Sequence, residues 1–100
     1  MWLIVDGQRE LGCDVIARTP EAARAILTFG GYLFECVCLD HDLGFEETGL
    51  DVLRYGIESN TLPKRIQLVS QNPVGRQNMG AELQKAGYTS SNGGVDWYKE

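Results

Sequence analysis

The sequence predicts an α/β fold, a truncated version of the flavodoxin-like doubly wound sheet with mainly parallel strands. Short apolar runs alternate with amphipathic stretches that carry helix-start signals, which is the pattern of strand–helix–strand units. Only the segment GQRELGC separates the first two strands, so the first crossover helix is short or absent. An Asn92-Gly93 pair between two strand-like segments predicts a C-terminal β-hairpin.

The first half of the chain supplies two strands, a helix and a third strand. Residues 2–5 (WLIV) are a short apolar run, and residues 14–18 (DVIAR) are a weaker one. Residues 19–31 (TPEAARAILTFGG) predict a helix that Thr19 caps, with proline at its first position and two glycines at its end. Residues 32–39 (YLFECVCL) are almost continuously apolar, which suits a central strand covered on both faces. We expect the inner face of the helix to consist of Ala22, Ala23, Ile26 and Phe29.

The second half supplies two further helices around a fourth strand, and then the hairpin. Residues 48–59 (TGLDVLRYGIES) form a helix after the loop GFEETG, and residues 65–70 (RIQLVS) form a strand. Residues 72–87 (NPVGRQNMGAELQKAG) form the last helix, and residues 88–100 contain the hairpin. The inner positions expected on these two helices are Leu50, Leu53 and Ile57 on the first and Met79, Leu83 and Ala86 on the second.

Length and charge limit the classes of function. With 100 residues, 43% of them hydrophobic, the chain suffices for a single domain over residues 1–100. Nine basic and 14 acidic residues give a net charge of −5, which argues against binding of an extended nucleic-acid duplex. The opening MWLIVDG has too few apolar residues for a signal peptide or a membrane span. We therefore expect a cytoplasmic, acidic protein without a membrane partner.

The three cysteines form no CxxC pair. Cys36 and Cys38 alternate along one apolar run, so they are expected on one face of a buried strand, as reduced thiols. A zinc site that uses these two with His41 is the less favoured alternative, because tetrahedral ligand sets usually come as two spaced pairs.

Three of the predicted strands end in polar residues. The first ends at Asp6, the third at Asp40-His41-Asp42 and the fourth at Ser70-Gln71-Asn72. The carboxyl ends of parallel strands share one edge of a sheet, and neighbouring strands are about 4.8 Å apart, so these acids can converge. Carboxylate oxygens suit Mg²⁺ or Mn²⁺, which would polarise a phosphoryl oxygen or activate a water. The alternative is that acids follow these strands only because loops are solvated.

Two further features at these strand ends have both a chemical and a structural interpretation. His41 can serve as a general acid or base, or it can be a turn residue hydrogen-bonded to a neighbouring acid. In SQNPVGR, Asn72 can cap a helix whose amides, together with Gly75 and Arg76, would bind an anion. The structural alternative is an ordinary capped helix start. Opposite an acidic cluster, phosphate is the anion that we expect.

Three motifs resemble those of a known family. LDHDLG (39–44), TGLDVL (48–53) and NPVGRQNM (72–79), in this order and spacing, resemble the cyclic-phosphate processing receiver domain, a group related to the receiver domains of two-component signalling. The resemblance covers residues 2–87. It implies a receiver-like α/β fold whose acidic pocket acts on cyclic phosphate ends instead of accepting a phosphoryl group.

The resemblance also implies roles for individual residues. Asp6 matches the first acid of the family's LDDxR strand and Arg9 matches its arginine. The family's DHD and HSxNPxG motifs are matched by Asp40, His41 and Asp42 and by Ser70, Asn72 and Gly75.

Two positions depart from the family pattern. Gly7 stands where a second aspartate is expected, and Val69 stands where a histidine is expected. The first departure removes a metal-facing carboxylate, and the second removes a candidate acid–base.

The sequence therefore leaves three hypotheses. The first is a metal-assisted phosphoesterase that acts on a cyclic phosphate, at an RNA end or in a cyclic nucleotide. The second is a degenerate receiver-like module that binds a protein partner through its acidic surface, or sequesters a phosphate ligand without chemistry. The third is a phospho-accepting receiver with Asp40 as the acceptor, which the glycine at position 7 disfavours. In the first, Asp40 and His41 are catalytic, the metal ligands are Asp6, Asp40 and Asp42, and the phosphate ligands are Arg9, Ser70, Asn72, Gly75 and Arg76.

Overall fold

The computed structural model describes residues 1–100. Its six strands are β1 (Trp2–Val5), β2 (Val15–Ala17), β3 (Cys36–Leu39), β4 (Arg65–Leu68), β5 (Thr89–Ser90) and β6 (Asp96–Tyr98). Its three α-helices are α1 (Pro20–Gly30), α2 (Gly49–Ser59) and α3 (Pro73–Lys85). None of the helices has the length and apolar character needed to cross a membrane.

The strands form one sheet in the order β2-β1-β3-β4-β6-β5. The first four strands in this order are parallel, whereas β6 pairs antiparallel with both β4 and β5. No helix separates β1 from β2. The predicted fold class is thus confirmed, including the missing first crossover helix and the C-terminal hairpin.

Each helix begins with a side-chain cap, and the caps of α1 and α3 are those that the sequence predicts. Thr19 Oγ1 accepts a hydrogen bond from the Ala22 N–H at 3.0 Å. Thr48 and Asp51 form a reciprocal capping box at the start of α2. Asn72 Oδ1 accepts from the Gly75 N–H at 3.0 Å at the start of α3. These local signals fix the helix starts before any tertiary contact is considered.

All three helices pack on one face of the sheet, where the main core lies. That core includes residues from each helix, such as Leu27, Leu53 and Met79. Right-handed crossovers that run in one direction along the sheet place their helices on the same face. The step from β1 to β2 runs the other way, so the loop of residues 6–14 crosses the opposite face. This second face, called here the helix-free face, buries Ile4, Cys36 and Cys38 without contacting any helix.

Two expectations about α1 and the segment after it are wrong. Phe29 is 84% exposed, because the buried stripe of α1 consists of Pro20, Ala23 and Leu27, spaced about one helical turn apart. The predicted strand at residues 32–39 begins only at Cys36, since a 3₁₀ turn (Gly31–Leu33) extends the end of α1. Apolar residues in this turn imitate a strand in the sequence.

Arg65 covers part of the helix-free face. Its guanidinium carbon lies 4.9 Å from the centre of the Trp2 ring and 5.4 Å from the centre of the Tyr98 ring. One guanidinium nitrogen is 3.4 Å from Asp96 Oδ1. Trp2, Cys36, Arg65 and Tyr98 are direct neighbours across four strands, which explains how Cys36 is buried with no helix above it.

We therefore expect Arg65→Ala to lower the free energy of unfolding by about 2 kcal/mol, because each cation–π contact contributes about 0.5–1 kcal/mol and Cys36 becomes exposed. Urea unfolding followed by circular dichroism measures the change. Arg54→Ala is the matched control, since Arg54 makes only a 3.4 Å surface ion pair with Glu82. Equal losses in the two variants would contradict the covering role of Arg65.

Candidate functional site at the strand ends

The direction of the chain along the sheet reverses between β1 and β3, since β1 is followed by β2 on one side and by β3 on the other. Ligands of α/β sheets bind outside the carboxyl ends of the strands at such a point. Val5 pairs with Leu39, and Leu39 pairs with Leu68. The next residues, Asp6 and Asp40, therefore leave adjacent strands at the same edge, as predicted.

A crevice of about 550 Å³ opens at this edge. Three carboxylates and one guanidinium line it, and Leu43 is its only hydrophobic wall residue. A phosphate in this crevice would need more positive charge than one arginine provides. The lining consists of Asp6, Gly7, Gln8, Arg9, Asp40, Asp42, Leu43, Gly44, Gln71 and Asn72.

Asp6 is buried and holds the loop after β1. Its Oδ1 accepts hydrogen bonds from the N–H groups of Gln8 at 2.9 Å and Arg9 at 3.0 Å. Its Oδ2 accepts from Arg9 Nε at 2.7 Å. Burial alone would raise the pKa of Asp6, but the hydrogen bonds and charge from Arg9 and Gln8 hold this pKa below its usual value. Asp6 is therefore ionised at neutral pH, with both oxygens engaged.

Arg9 joins the ends of three strands. Besides its contact with Asp6 after β1, its Nη2 donates to the carbonyl oxygen of Val69 after β4 at 2.9 Å. The same Nη2 lies 3.6 Å from Asp40 Oδ2 after β3. Nη1 of Arg9 makes no hydrogen bond with the protein and is not among the buried unpaired atoms. The guanidinium is thus fixed by three strand ends while one amino group remains available to a ligand.

The residues of the DHD motif have separate contacts. Asp40 Oδ1 accepts from the His41 N–H at 2.9 Å. His41 Nδ1 lies 3.0 Å from Asp42 Oδ1, and Asp42 Oδ2 accepts from Asn72 Nδ2 at 3.2 Å. The hydrogen bonds from His41 and Asn72 hold the pKa of Asp42 below its usual value. Nε2 of His41 makes no hydrogen bond and is not among the buried unpaired atoms, whereas the His41 ring itself is not part of the crevice lining.

Gly75 explains where the His41 ring lies. A Cβ at this position would be 2.4 Å from Cγ of His41, so only glycine lets the first turn of α3 rest against the ring. The predicted anion-binding amide of Gly75 already donates to Asn72. Gly75 therefore positions the imidazole, whereas its predicted phosphate contact stays a prediction.

Ser70 and Arg76 also lie outside the crevice lining. Ser70 is buried, and its Oγ accepts from the Asn72 N–H at 3.0 Å. Arg76 Nη1 donates to the Ser70 carbonyl oxygen at 3.2 Å. Of the five expected phosphate ligands, the structure thus brings Arg9 and Asn72 into the crevice.

Five crevice residues were given no individual role from the sequence: Gly7, Gln8, Leu43, Gly44 and Gln71. Gln8 and Gln71 each stand three residues after the last residue of a strand, β1 and β4. This common spacing is a signal that could have identified both amides.

Two carboxylates in the crevice remain as possible ligands of a divalent ion, instead of the three that the sequence predicts. No group of three or more His, Cys, Asp or Glu side chains is arranged to hold a metal ion. Asp6 is committed to Arg9, and position 7 has no side chain. Asp40 and Asp42 remain in the crevice. Mg²⁺ is often bound by one or two carboxylates together with waters and substrate phosphates, so the donors fit such an ion.

The fold and the crevice define a receiver-like domain, in which acidic residues converge at the carboxyl ends of a parallel sheet. The model of the cyclic-phosphate processing receiver domain matches residues 1–85, and the chain belongs to this family. Comparison with curated proteins and with solved structures finds no significant match.

Proposed function

We propose that this receiver domain is a metal-assisted phosphoesterase that opens cyclic phosphodiesters. The observation that supports the proposal is the meeting of the Asp6–Arg9–Asp40 bridge and the His41–Asp42 pair at one edge of the sheet. An RNA end or a nucleotide with a 2′,3′-cyclic phosphate is the proposed substrate. The size of the crevice, about 550 Å³, lies in the range of small-ligand sites.

Arg9 is the proposed phosphate ligand. Its free Nη1 amino group can donate to a phosphoryl oxygen while Asp6 and Val69 hold the rest of the guanidinium in place. A fixed donor stabilises the charge that develops on phosphorus-bound oxygens without having to reorganise. The Asn72 side chain also lines the crevice and orients Asp42 by donating to its Oδ2.

His41 is the proposed acid–base. In the proposed reaction Asp42 accepts a hydrogen bond from the protonated Nδ1 of His41. Nε2 is then free to take a proton from the attacking water or to give one to the departing sugar oxygen. Asp40 and Asp42 would hold Mg²⁺ or Mn²⁺. When bound, such an ion supplies Lewis-acid polarisation of a phosphoryl oxygen or an activated water.

Arg9 also competes with a cation for Asp40, because its Nη2 is 3.6 Å from Asp40 Oδ2. We expect Arg9→Gln to tighten Mn²⁺ binding about tenfold in calorimetric titration, which corresponds to about 1.4 kcal/mol. Arg18→Gln is the matched control. It removes the same charge beside the site, but Arg18 contacts only the carbonyl oxygens of Asp6 and Arg9 and the Glu10 side chain. Equal gains in both variants would mean that overall charge, and not competition at Asp40, sets the affinity.

The test of the proposed function is incubation of the protein with a 2′,3′-cyclic nucleotide and with an RNA that carries a 2′,3′-cyclic phosphate, in Mg²⁺ and in chelator. Phosphorus NMR distinguishes the cyclic ester from the opened monoester. We expect opening in Mg²⁺ that the chelator suppresses. Failure to open either substrate in Mg²⁺ or Mn²⁺ would refute the proposal.

Saturable binding without opening would instead support the second candidate, a module that sequesters the ligand. The missing side chain at Gly7 and the valine at position 69 favour this candidate.

A further inference from the structure

All three cysteines of the chain meet on the helix-free face. Cys36 and Cys38 are buried on β3, and Cys13 comes from the loop between β1 and β2 and is partly exposed. The Sγ atoms of Cys13 and Cys38 are 4.0 Å apart. The proposed reaction uses no thiol, so this cluster requires an explanation of its own.

The local backbone presents Cys13 to Cys38. Leu11 and Gly12, immediately before it, both have positive φ angles, of 50° and 71°, and the Cys13 N–H donates to the Glu10 carbonyl oxygen at 3.0 Å. A left-handed conformation costs a leucine roughly 1–2 kcal/mol, so this turn is maintained by its surroundings. On the other side, Asp14 is anchored by two hydrogen bonds to the backbone of Trp2, at 2.8 and 3.0 Å. The thiol is therefore held over β3 between a tight turn and a fixed residue.

We infer that Cys13 and Cys38 form a redox-active pair, which a small-molecule disulfide such as oxidised glutathione converts to an intramolecular disulfide. A disulfide bond is about 2.05 Å long, so the two sulfurs must approach by about 2 Å. A change of side-chain torsion at Cys13, on a partly exposed loop, can supply this movement. Cys36 is less suitable because it lies one strand repeat, about 6.6 Å, further along β3.

The exchange proceeds in two balanced steps. The Cys13 thiolate attacks one sulfur of oxidised glutathione, which breaks its S–S bond and releases one glutathione thiolate. Cys38 gives its proton to the released glutathione thiolate, and the resulting Cys38 thiolate attacks the Cys13 sulfur of the mixed disulfide, which releases the second glutathione as a thiolate. Two protein thiols are oxidised, and one small-molecule disulfide is reduced to two thiols.

The reaction is expected to be slow at neutral pH. Burial, and then the neighbouring Cys38 and Asp14, raise the pKa of Cys13 to about 11. The thiolate is the nucleophile. As long as the pH lies below that pKa, the rate should therefore increase about tenfold for each unit by which the pH is raised. The pair would respond to sustained oxidising conditions and not to brief ones.

The bond would join the loop that carries Arg9 to β3, the strand that Asp40 follows. Arg9 and Cys13 belong to the same loop, and Cys38 stands two residues before Asp40. The oxidised protein would thus hold the guanidinium loop against β3. Closing a loop between residues 13 and 38 also restricts the unfolded chain, so oxidation should stabilise the fold.

The test is incubation of the full chain with millimolar oxidised glutathione at about pH 9, where the thiolate fraction is larger. We expect the intact mass to fall by two hydrogen atoms, peptide mapping to find Cys13 linked to Cys38, and Tm to rise by about 5 °C or more. Cys13→Ser should abolish all three changes. Peptide mapping of the unmodified chain decides the pairing even if a variant folds poorly. A stable glutathione adduct on Cys13, a link that involves Cys36, or no reaction would each overturn the inference.

Discussion

Asp40→Asn is expected to lower turnover of a 2′,3′-cyclic phosphate at least about a hundredfold, because about 3 kcal/mol of transition-state charge stabilisation corresponds to two powers of ten. Asp40 Oδ2 lies 3.6 Å from Arg9 Nη2. Among the carboxylate oxygens of the crevice, it is the one with the fewest close contacts to protein donors. Asparagine has nearly the same shape, and its oxygen can still accept from the His41 N–H. The substitution therefore removes the charge and leaves the local backbone contact in place.

The measurement compares initial rates, at saturating metal and substrate, for the wild type and the variant. Glu46→Gln is the matched control, since Glu46 is exposed on the loop just beyond the crevice and loses the same charge. Its rate should stay within about twofold of the wild type, because exposed charges are screened by solvent and salt. Undiminished turnover by Asp40→Asn, with circular dichroism showing a normal fold, would remove Asp40 from the reaction.

Local signals made the fold predictable to a large extent. Thr19 and Asn72 were predicted as helix caps, and the structure shows both of them in that role. The alternation of strands and helices predicts parallel strands, whose polar ends then meet at one edge. These features depend on residues that are close in sequence, so the sequence carries them directly.

Features that depend on distant contacts were less predictable. Phe29 fits a helical stripe but faces solvent, because the position of α1 on the sheet selects Ala23 and Leu27 for burial. Arg76 belongs to the predicted anion site, yet it donates to Ser70 outside the crevice lining. Which side chain is buried, and which partner it contacts, depends on packing between elements. Helical periodicity in the sequence does not predict that packing.

The candidate site shows the same division. Asp6, Asp40 and Asp42 were predicted from their positions after strands, and all three line the crevice. Only the family resemblance pointed to Arg9, whose contacts with three strand ends depend on the register of the sheet. The sequence therefore identified most of the charged residues of the site, but it did not predict how they contact one another.

Gly49→Ala is expected to lower the free energy of unfolding by about 3 kcal/mol or more, well above the usual cost of a point substitution. A Cβ at this position would lie 1.8 Å from the carbonyl oxygen of Asp40. The Gly49 N–H donates to the His41 carbonyl oxygen at 2.7 Å, so the first turn of α2 rests directly on the backbone of the DHD motif. The variant can relieve this clash only by moving the backbone of the candidate site.

Gly56→Ala in the same helix provides the comparison. Its added Cβ would meet the Leu62 side chain at 2.6 Å, and a leucine side chain can rotate away where a backbone carbonyl cannot. Gly56→Ala also gains up to about 1 kcal/mol of helix propensity, so we expect a net loss below about 1.5 kcal/mol. Urea unfolding of both variants measures the difference. Similar midpoints would show that α2 can shift away from β3 at little cost, and the glycine of TGLDVL would then have no structural role in holding the DHD motif.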